Sequence, residues 1–517
     1  MSAPTGYTSS VEDYAEAGFI YVYAGCRGRD SGAPAGVTDL KAAVRYIRYI
    51  SELIPGNTDS IFTFGMSGGG AQSALMGATG NSSLYDPYLE AIGAVMDESD
   101  AVAGSMCWCP ITNLDAADEA YEWNMGSTRS GLSDEEQTIS DSLANAYAAY
   151  INELGLTLED GTVLSLEESE DGVYQAGSYY EYLKSVIEGS LNNFLSDTEF
   201  PYTAASSSGM GNSYKMMRGD KGDRGTDGKP DGEMPDGEKP DDLADGELPE
   251  GIADGELPSN MGEKPEDLPE GETTVSGDGV SSAWEPEDSS EKTEADFYAE
   301  DGVQRTETAS SIDGADGVSS GTYETPQDYI DSLNSDTEWI TYDPETNTVT
   351  ITDVASFVQH CKNASKGLGA FDDMSASQAE NTLFGYADGS GAHFDSVLAE
   401  ILEGTDYESA YAEDLAKTDS AGNTVETRVN MYNPMYYLCD YYEGSGSSDV
   451  AEFWRIRTGI NQSDTALCTE VNLALALENY GASVDFETVW GQGHTEAERT
   501  GSSAENFITW VNECLNQ

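Results

Sequence analysis

Strand and helix signals alternate from residue 18 to about 111, stop, and resume near residue 451. This interrupted alternation constrains the fold of the 517-residue chain more than any other feature. Before the break, "GFIYVYAG" (18–25) reads as a strand and "VTDLKAAVRYIRYISELI" (37–54) as a helix with apolar residues at helical spacing. "SIFTFG" (60–65) is the next strand, "AQSALMGATG" (71–80) starts a helix of small residues, and the strand "AVAGSMCWCP" (101–110) leads into "ITNLDAADEAYEWNMG". After the break come the strand "EFWRIRTG" (452–459), the helix "TALCTEVNLALALENYG" (465–481), the strand "SVDFETVW" (483–490) and a last helix, "AENFITWVNECLNQ". A sheet must be completed in space, so the two halves are expected to form one α/β domain with a doubly wound sheet. The expected parts are 1–111 and 451–517 for that domain, with its initial strands missing from the first part, and a cap insertion in two pieces, 112–213 and 321–450. A linker at 214–320 separates the two cap pieces.

The linker is an acidic segment of short D-G-E-x-P-like units, too poor in apolar residues to offset chain entropy, and is expected to be disordered. Its G-x-y run "GDKGDRGTDGKP" is too short for a collagen-like trimer, and "RGD" at 218–220 is only a three-residue match. Beyond it, "EWITYDPETNTVTITD" reads as a hairpin whose turn lacks the glycine of a calcium loop. With 96 acidic and 23 basic residues the formal charge of −73 repels nucleic acid and anionic membranes, and no stretch is long and apolar enough for a spanning helix. The first residues show no signal peptide, which leaves secreted and cytoplasmic locations both open, as is the oligomeric state. The seven scattered cysteines do not form a disulfide framework. The C-x-C pair of "SMCWCP" lacks a second ligand pair and reads as buried strand cysteines, so neither a metal nor a cofactor is expected.

Directly after the strand at 60–65, Gly65-Met66-Ser67-Gly68-Gly69 fits the G-x-S-x-G elbow, in which small neighbours let the chain turn sharply and present the serine hydroxyl. Such a nucleophile needs a base, and the chain has three histidines. His360 lies in an expected insertion helix and His393 in a glycine-rich insertion loop. His494 follows the last strand, where an α/β-hydrolase presents its base. The loop after the preceding strand, "RTGINQSDTALC", holds one carboxylate, Asp464, which is placed either to orient His494 or to cap the helix starting at Thr465. The Gly68 N–H is the expected oxyanion donor; the usual second donor would precede residue 18, so it is either missing with those strands or replaced.

With these residues in this order, the sequence resembles the bacterial tannases, α/β-hydrolases that cleave galloyl esters. The resemblance lies in "GMSGGGAQSALMGATGNSSLYDPYLEAIGA", "CPITNLDAADEAYEWNMG", "KGLGAFDDMSASQAENTLFG" and "FWRIRTGINQSDTALCTEVNLALALENYG" with the later His494. It implies a cap over the active site and three side chains that bind the galloyl hydroxyls, at Lys366, Glu380 and Asp464. Without the resemblance, Lys366 and Glu380 read as solvated loop charges. The family's triad acid lies two residues before the ring-binding aspartate, where this chain has Gln462. Either Asp464 takes over as the acid, or Gln462 supports a weaker enzyme; the first is our expectation. The fungal variant, with a disulfide joining the residues before serine and histidine, is excluded by Met66 and Gly493.

The expected function is thus a serine esterase that hydrolyses galloyl or related phenolic esters through an acyl-enzyme. The alternatives are a broader aromatic carboxylesterase of feruloyl type, or an impaired binding protein on the same fold. A peptidase of this fold is less consistent with the chain, which has no propeller-like repeats.

Overall fold

The computed structural model describes residues 10–169, 172–204 and 321–517. The chain divides into two units, Met1–Lys221 with Ser311–Gln517, and Gly222–Ser310. The second unit, with most of the acidic repeats and the collagen-like run, and the RGD match at 218–220 lie outside the described residues.

Eight strands are described: β1 (Phe62–Met66), β2 (Gly104–Trp108), β3 (Tyr202–Thr203), β4 (Thr322–Tyr323), β5 (Ile340–Asp343), β6 (Thr348–Ile351), β7 (Phe453–Gly459) and β8 (Ser483–Val489). The central sheet is parallel in the order β1-β2-β7-β8, so strands from before and after the interruption alternate with helices around one sheet. Its register decides where function can sit. Met66 lies opposite Trp108, Trp108 opposite Arg457, and Gly459 opposite Val489. β1 and β2 therefore end level with each other, two residues short of the ends of β7 and β8. The loops that follow the four strands, which carry Ser67, Asp464 and His494, emerge at one carboxyl edge, where open α/β sheets bind ligands.

Both faces of the sheet are covered, as a buried parallel sheet requires. Met106 and Trp108 of β2 join Phe62, Phe507 and Trp510 on one face, under the terminal helix Ser503–Cys514. The alternate residue Cys107 joins Trp454, Ile456, Val37, Leu75 and Val471 on the other, under the helices Ala35–Tyr49, Gly68–Ala78 and Leu467–Tyr480. The inserted segments share this second core. Tyr179 of the helix Ser178–Asp197 donates to Asn472 at 2.6 Å, Ser190 donates to the Thr488 carbonyl, and Trp490 donates to the hydroxyl of Tyr329 at 2.8 Å. β5 and β6 pair antiparallel as the expected hairpin.

Two expectations change. Residues 18–25 are not a strand: Phe19 and Tyr21 pack inward towards Tyr14 and Phe64 while Ile20 and Val22 are more than half exposed, but no ladder joins this segment to β1. The alternation is expressed as one-sided burial without the backbone pairing that makes a strand. The helix expected from Thr465 begins at Leu467, with Ala466 at its N-cap and no side-chain cap. Among the described residues no helix is long and apolar enough to cross a membrane.

The helix Ala117–Met125, which follows β2, carries a wholly buried group of acids. Asp118 accepts the amides of Phe371 and Asp372, both at 3.0 Å, and burial pushes its pKa up to about 7. Burial likewise holds Asp115 up at about 6. Neither oxygen of Glu119 has a hydrogen bond, and burial, then the nearby Asp395, holds its carboxyl well above the ordinary range. A carboxyl whose pKa is raised on folding keeps its proton while the unfolded chain releases its own, so stability is present below about pH 4 and is lost as pH rises through the folded pKa. Glu119→Gln is therefore expected to raise unfolding stability at pH 7 by on the order of 1–2 kcal/mol and to be close to neutral near pH 4. Thermal unfolding of both proteins across that range checks this.

Candidate active site

Ser67 sits between β1 and the helix Gly68–Ala78 with φ 59° and ψ −122°. A non-glycine residue held at positive φ costs on the order of 1–3 kcal/mol and persists only where its surroundings fix it. Here the Ser67 N–H donates to the Trp108 carbonyl at 2.9 Å, and its own carbonyl accepts the Ala71 amide at 2.9 Å. The turn is possible because residue 65 is glycine: a Cβ there would collide with the Gly69 carbonyl. By contrast, nothing lies within 4 Å of a Cβ built on Gly68 or Gly69. The first-turn amides, which have no intrahelical acceptor, therefore stand at an uncrowded helix N-terminus.

His494 arrives on the loop after β8, and several contacts tie that loop to the end of β7. Gly459 lies so close under the Gly493 carbonyl that a Cβ would not fit. The Asn461 amide donates to the Gln492 carbonyl at 3.1 Å, and the Asn461 side chain accepts the Gly491 amide at 2.9 Å. The same loop is tied to the serine side of the sheet. The Trp108 indole donates to Glu498 Oε1 at 3.0 Å, and the thiol of Cys109 reaches the Thr495 carbonyl at 3.3 Å while accepting from the Gly459 amide.

His494 is nearly buried, its Nδ1 lies 3.7 Å from Asp464 Oδ2, and that nitrogen has no hydrogen bond. Burial lowers its pKa below the ordinary imidazole value. Asp464 opposes this, and the ammonium groups of Lys366 and Lys362 reinforce it. The imidazole is consequently neutral at pH 7 and free to accept a proton. Asp464 is not a helix cap: the helix starts three residues later, and the His494 ring is the one ion-pairing group within 4 Å of its carboxylate among the described residues.

Gln462 points elsewhere. Its side-chain oxygen accepts the amides of Asp464 and Thr465 at 2.9 and 3.0 Å, and its nitrogen donates to Glu470 Oε1 at 3.1 Å and to the Thr465 hydroxyl. Lys366 lies with its ammonium 3.9 Å from the Phe371 ring centre, a cation–π contact. Its segment is joined to the Asp464 loop by Tyr121, whose hydroxyl accepts the amides of Ser365 and Lys366 and donates to the Ser463 carbonyl at 3.0 Å. Glu380 begins a short helix, Ala379–Phe384, and is 8% exposed, with no hydrogen bond or ion pair among the described residues. Among the described residues no hydrogen bond or ion pair joins Glu380 to Ser67, His494 or Lys366. The link runs through its neighbour Asn381, which donates to Asp372, the residue after Phe371.

Tyr121, Lys362 and Glu470 escape the sequence reading. Glu470 alone leaves a signal, as a charge inside the apolar run "TALCTEVNLALALENYG". The other two histidines are structural. His393 bonds Asp372 at 2.7 Å and stacks on Tyr411, and His360 stacks on Trp339.

The parallel sheet, the strained serine turn behind β1 and a histidine loop behind the last strand define an α/β-hydrolase fold. Residues 2–151 match the model of the BD-FAE family, an esterase domain of that type. No curated protein matches the sequence. Among solved structures the chain is similar to tannases. Tannin acyl hydrolase from Lactobacillus plantarum aligns at 22% identity and a TM-score of 0.60, covering 98% of this chain and 78% of that one. The tannase of Fusobacterium nucleatum aligns at 24% and 0.58, covering 95% and 77%. A tannin acyl hydrolase in complex with ethyl gallate aligns at 23% and 0.59, covering 98% and 78%. The fold is thus the tannase form of the α/β-hydrolase sheet.

Because Gly65 passes against the Gly69 carbonyl, Gly65→Ala is expected to cost about 1–3 kcal/mol of stability through overpacking. Denaturant unfolding should show a lower midpoint at unchanged slope.

Proposed function

We propose that this protein is a serine esterase acting on galloyl or closely related phenolic esters. The observation that carries the reading is a buried, neutral imidazole beside a carboxylate, on the same sheet edge as a serine held at positive φ. Ser67 Oγ attacks the ester carbonyl carbon as His494 takes the hydroxyl proton through Nε2. Asp464, on the Nδ1 side, stabilises the imidazolium that forms. The negative oxygen of the tetrahedral intermediate meets the Gly68 N–H at the helix N-terminus. His494 then gives its proton to the departing alcohol. Water, deprotonated by the same ring, releases the aromatic acid and restores Ser67.

Selectivity falls to Lys366 and Glu380. A carboxylate without a partner accepts from phenolic hydroxyls, and an ammonium donates to phenolic oxygens. The unpartnered Glu380 and the closeness of the Lys366 charge to His494 support this assignment. The ethyl gallate bound by one structurally similar protein agrees with a trihydroxylated ring.

Purified protein is expected to hydrolyse methyl gallate at least about tenfold faster, by kcat/KM, than methyl ferulate or methyl cinnamate, the value of one hydrogen bond to a charged group. Equal rates would leave an esterase of broader, feruloyl type. A fluorophosphonate should modify Ser67, and Ser67→Ala and His494→Ala should each abolish turnover. A folded sample with no labelling would make the protein a binding module.

The pH profile has a defined sign. Since Asp464 raises the His494 pKa and Lys366 lowers it, Asp464→Asn should move the acid limb of kcat/KM to lower pH and Lys366→Met should move it to higher pH. The plateau of Asp464→Asn should fall by roughly 10³–10⁴.

A further inference from the structure

We infer that Gln462 and Glu470 form a carboxamide–carboxylate pair whose task is to position Asp464 against His494, an assignment that rests on the esterase reading above. The Asp464 carboxylate makes no hydrogen bond among the described residues, so its place is set by the backbone that carries it. That backbone is held by Gln462, whose side-chain oxygen accepts the N–H groups of both Asp464 and Thr465. Gln462 is in turn held by Glu470, which is wholly buried in the first turn of the helix Leu467–Tyr480. Glu470 Oε1 accepts from the Gln462 nitrogen at 3.1 Å and the Thr465 hydroxyl at 2.6 Å, and Oε2 accepts from Thr469 at 3.0 Å. The buried Lys362 closes the group by donating to the Gln462 backbone carbonyl; burial raises the Glu470 pKa above the ordinary carboxyl value, and the Lys362 charge opposes this.

The side chain at 462 must accept two amides and also donate to a carboxylate; a carboxamide does both, and an ionised carboxylate cannot. A carboxylate there would face Glu470 with no proton to give and would bury two like charges together. The glutamine is thus matched to Glu470, and it acts on the reaction through Asp464 without touching the reacting atoms.

The test uses the full chain. Gln462→Leu removes the amide without adding charge. It is expected to lower kcat on methyl gallate about 10- to 100-fold with KM changed less than about threefold. It should also lower the titration midpoint of His494, followed by NMR among the three histidines, because the carboxylate that raises it moves away. Gln462→Glu should impair turnover at least as much. The exchange Gln462→Glu with Glu470→Gln restores one donor and one acceptor in reverse order and should bring kcat to within about fivefold of the starting protein.

An unchanged kcat and His494 midpoint in Gln462→Leu would overturn the assignment. So would a Gln462→Glu protein faster than the starting one, since the new carboxylate would then serve as the acid itself. An exchange variant no better than Gln462→Glu, or one that does not fold, also counts against it. If the unaltered protein turns over no ester, the esterase reading fails by itself and the His494 titration still decides the pairing.

Discussion

The hydrogen bond from the Ser67 amide to the Trp108 carbonyl is the point on which the site depends. It crosses from the end of β1 to the end of β2 and holds the serine in a backbone conformation it would otherwise leave. Trp108 passes the constraint on through its indole, bonded to Glu498 on the histidine loop, and Cys109 passes it on through a thiol lodged between Gly459 and Thr495. The serine turn and the histidine loop are thus referenced to Trp108, the last residue of β2, and to Cys109, which follows it. The two loops need no direct contact with each other to hold their relative placement.

The electrostatics of the site run against those of the chain. A protein with 96 acidic and 23 basic residues sets two lysines within range of one imidazole. Burial, with these ammonium groups beside it, keeps His494 unprotonated, while the Asp464 carboxylate opposes them; in the mechanism proposed above it would stabilise the cation once formed. A base needs both properties: neutral at rest, and supported when charged. The excess of acid elsewhere, including the buried group around Glu119, burdens stability rather than serving this ring.

Much of the sheet is legible because β1, β2, β7 and β8 are apolar runs between turn residues, and such runs have few other uses. The segment 18–25 has the same pattern and no ladder, since alternation reports which side chains are buried and not whether a neighbouring backbone is there to bond. The elbow and His494 are readable from position in the chain. Asp464 is ambiguous in sequence, because a carboxylate directly ahead of a helix expected from Thr465 serves equally well as a cap. The ambiguity goes once the helix starts at Leu467 and the His494 ring is found 3.7 Å away. Tyr121 leaves no trace, because its value lies in joining Ser365 and Ser463, which are nearly a hundred residues apart.

The sequence by itself determined the class of fold, the split of one sheet across a long insertion, and the serine and histidine that stand behind its strands. Apolar periodicity and turn chemistry are local and can be read residue by residue. Tertiary structure alone decided how Gln462 is used, which acid faces the imidazole, and which lysines act on it. Those outcomes depend on hydrogen bonds and charges between segments far apart in the chain, and such pairings exist only after the strands have aligned and their loops have met at one edge.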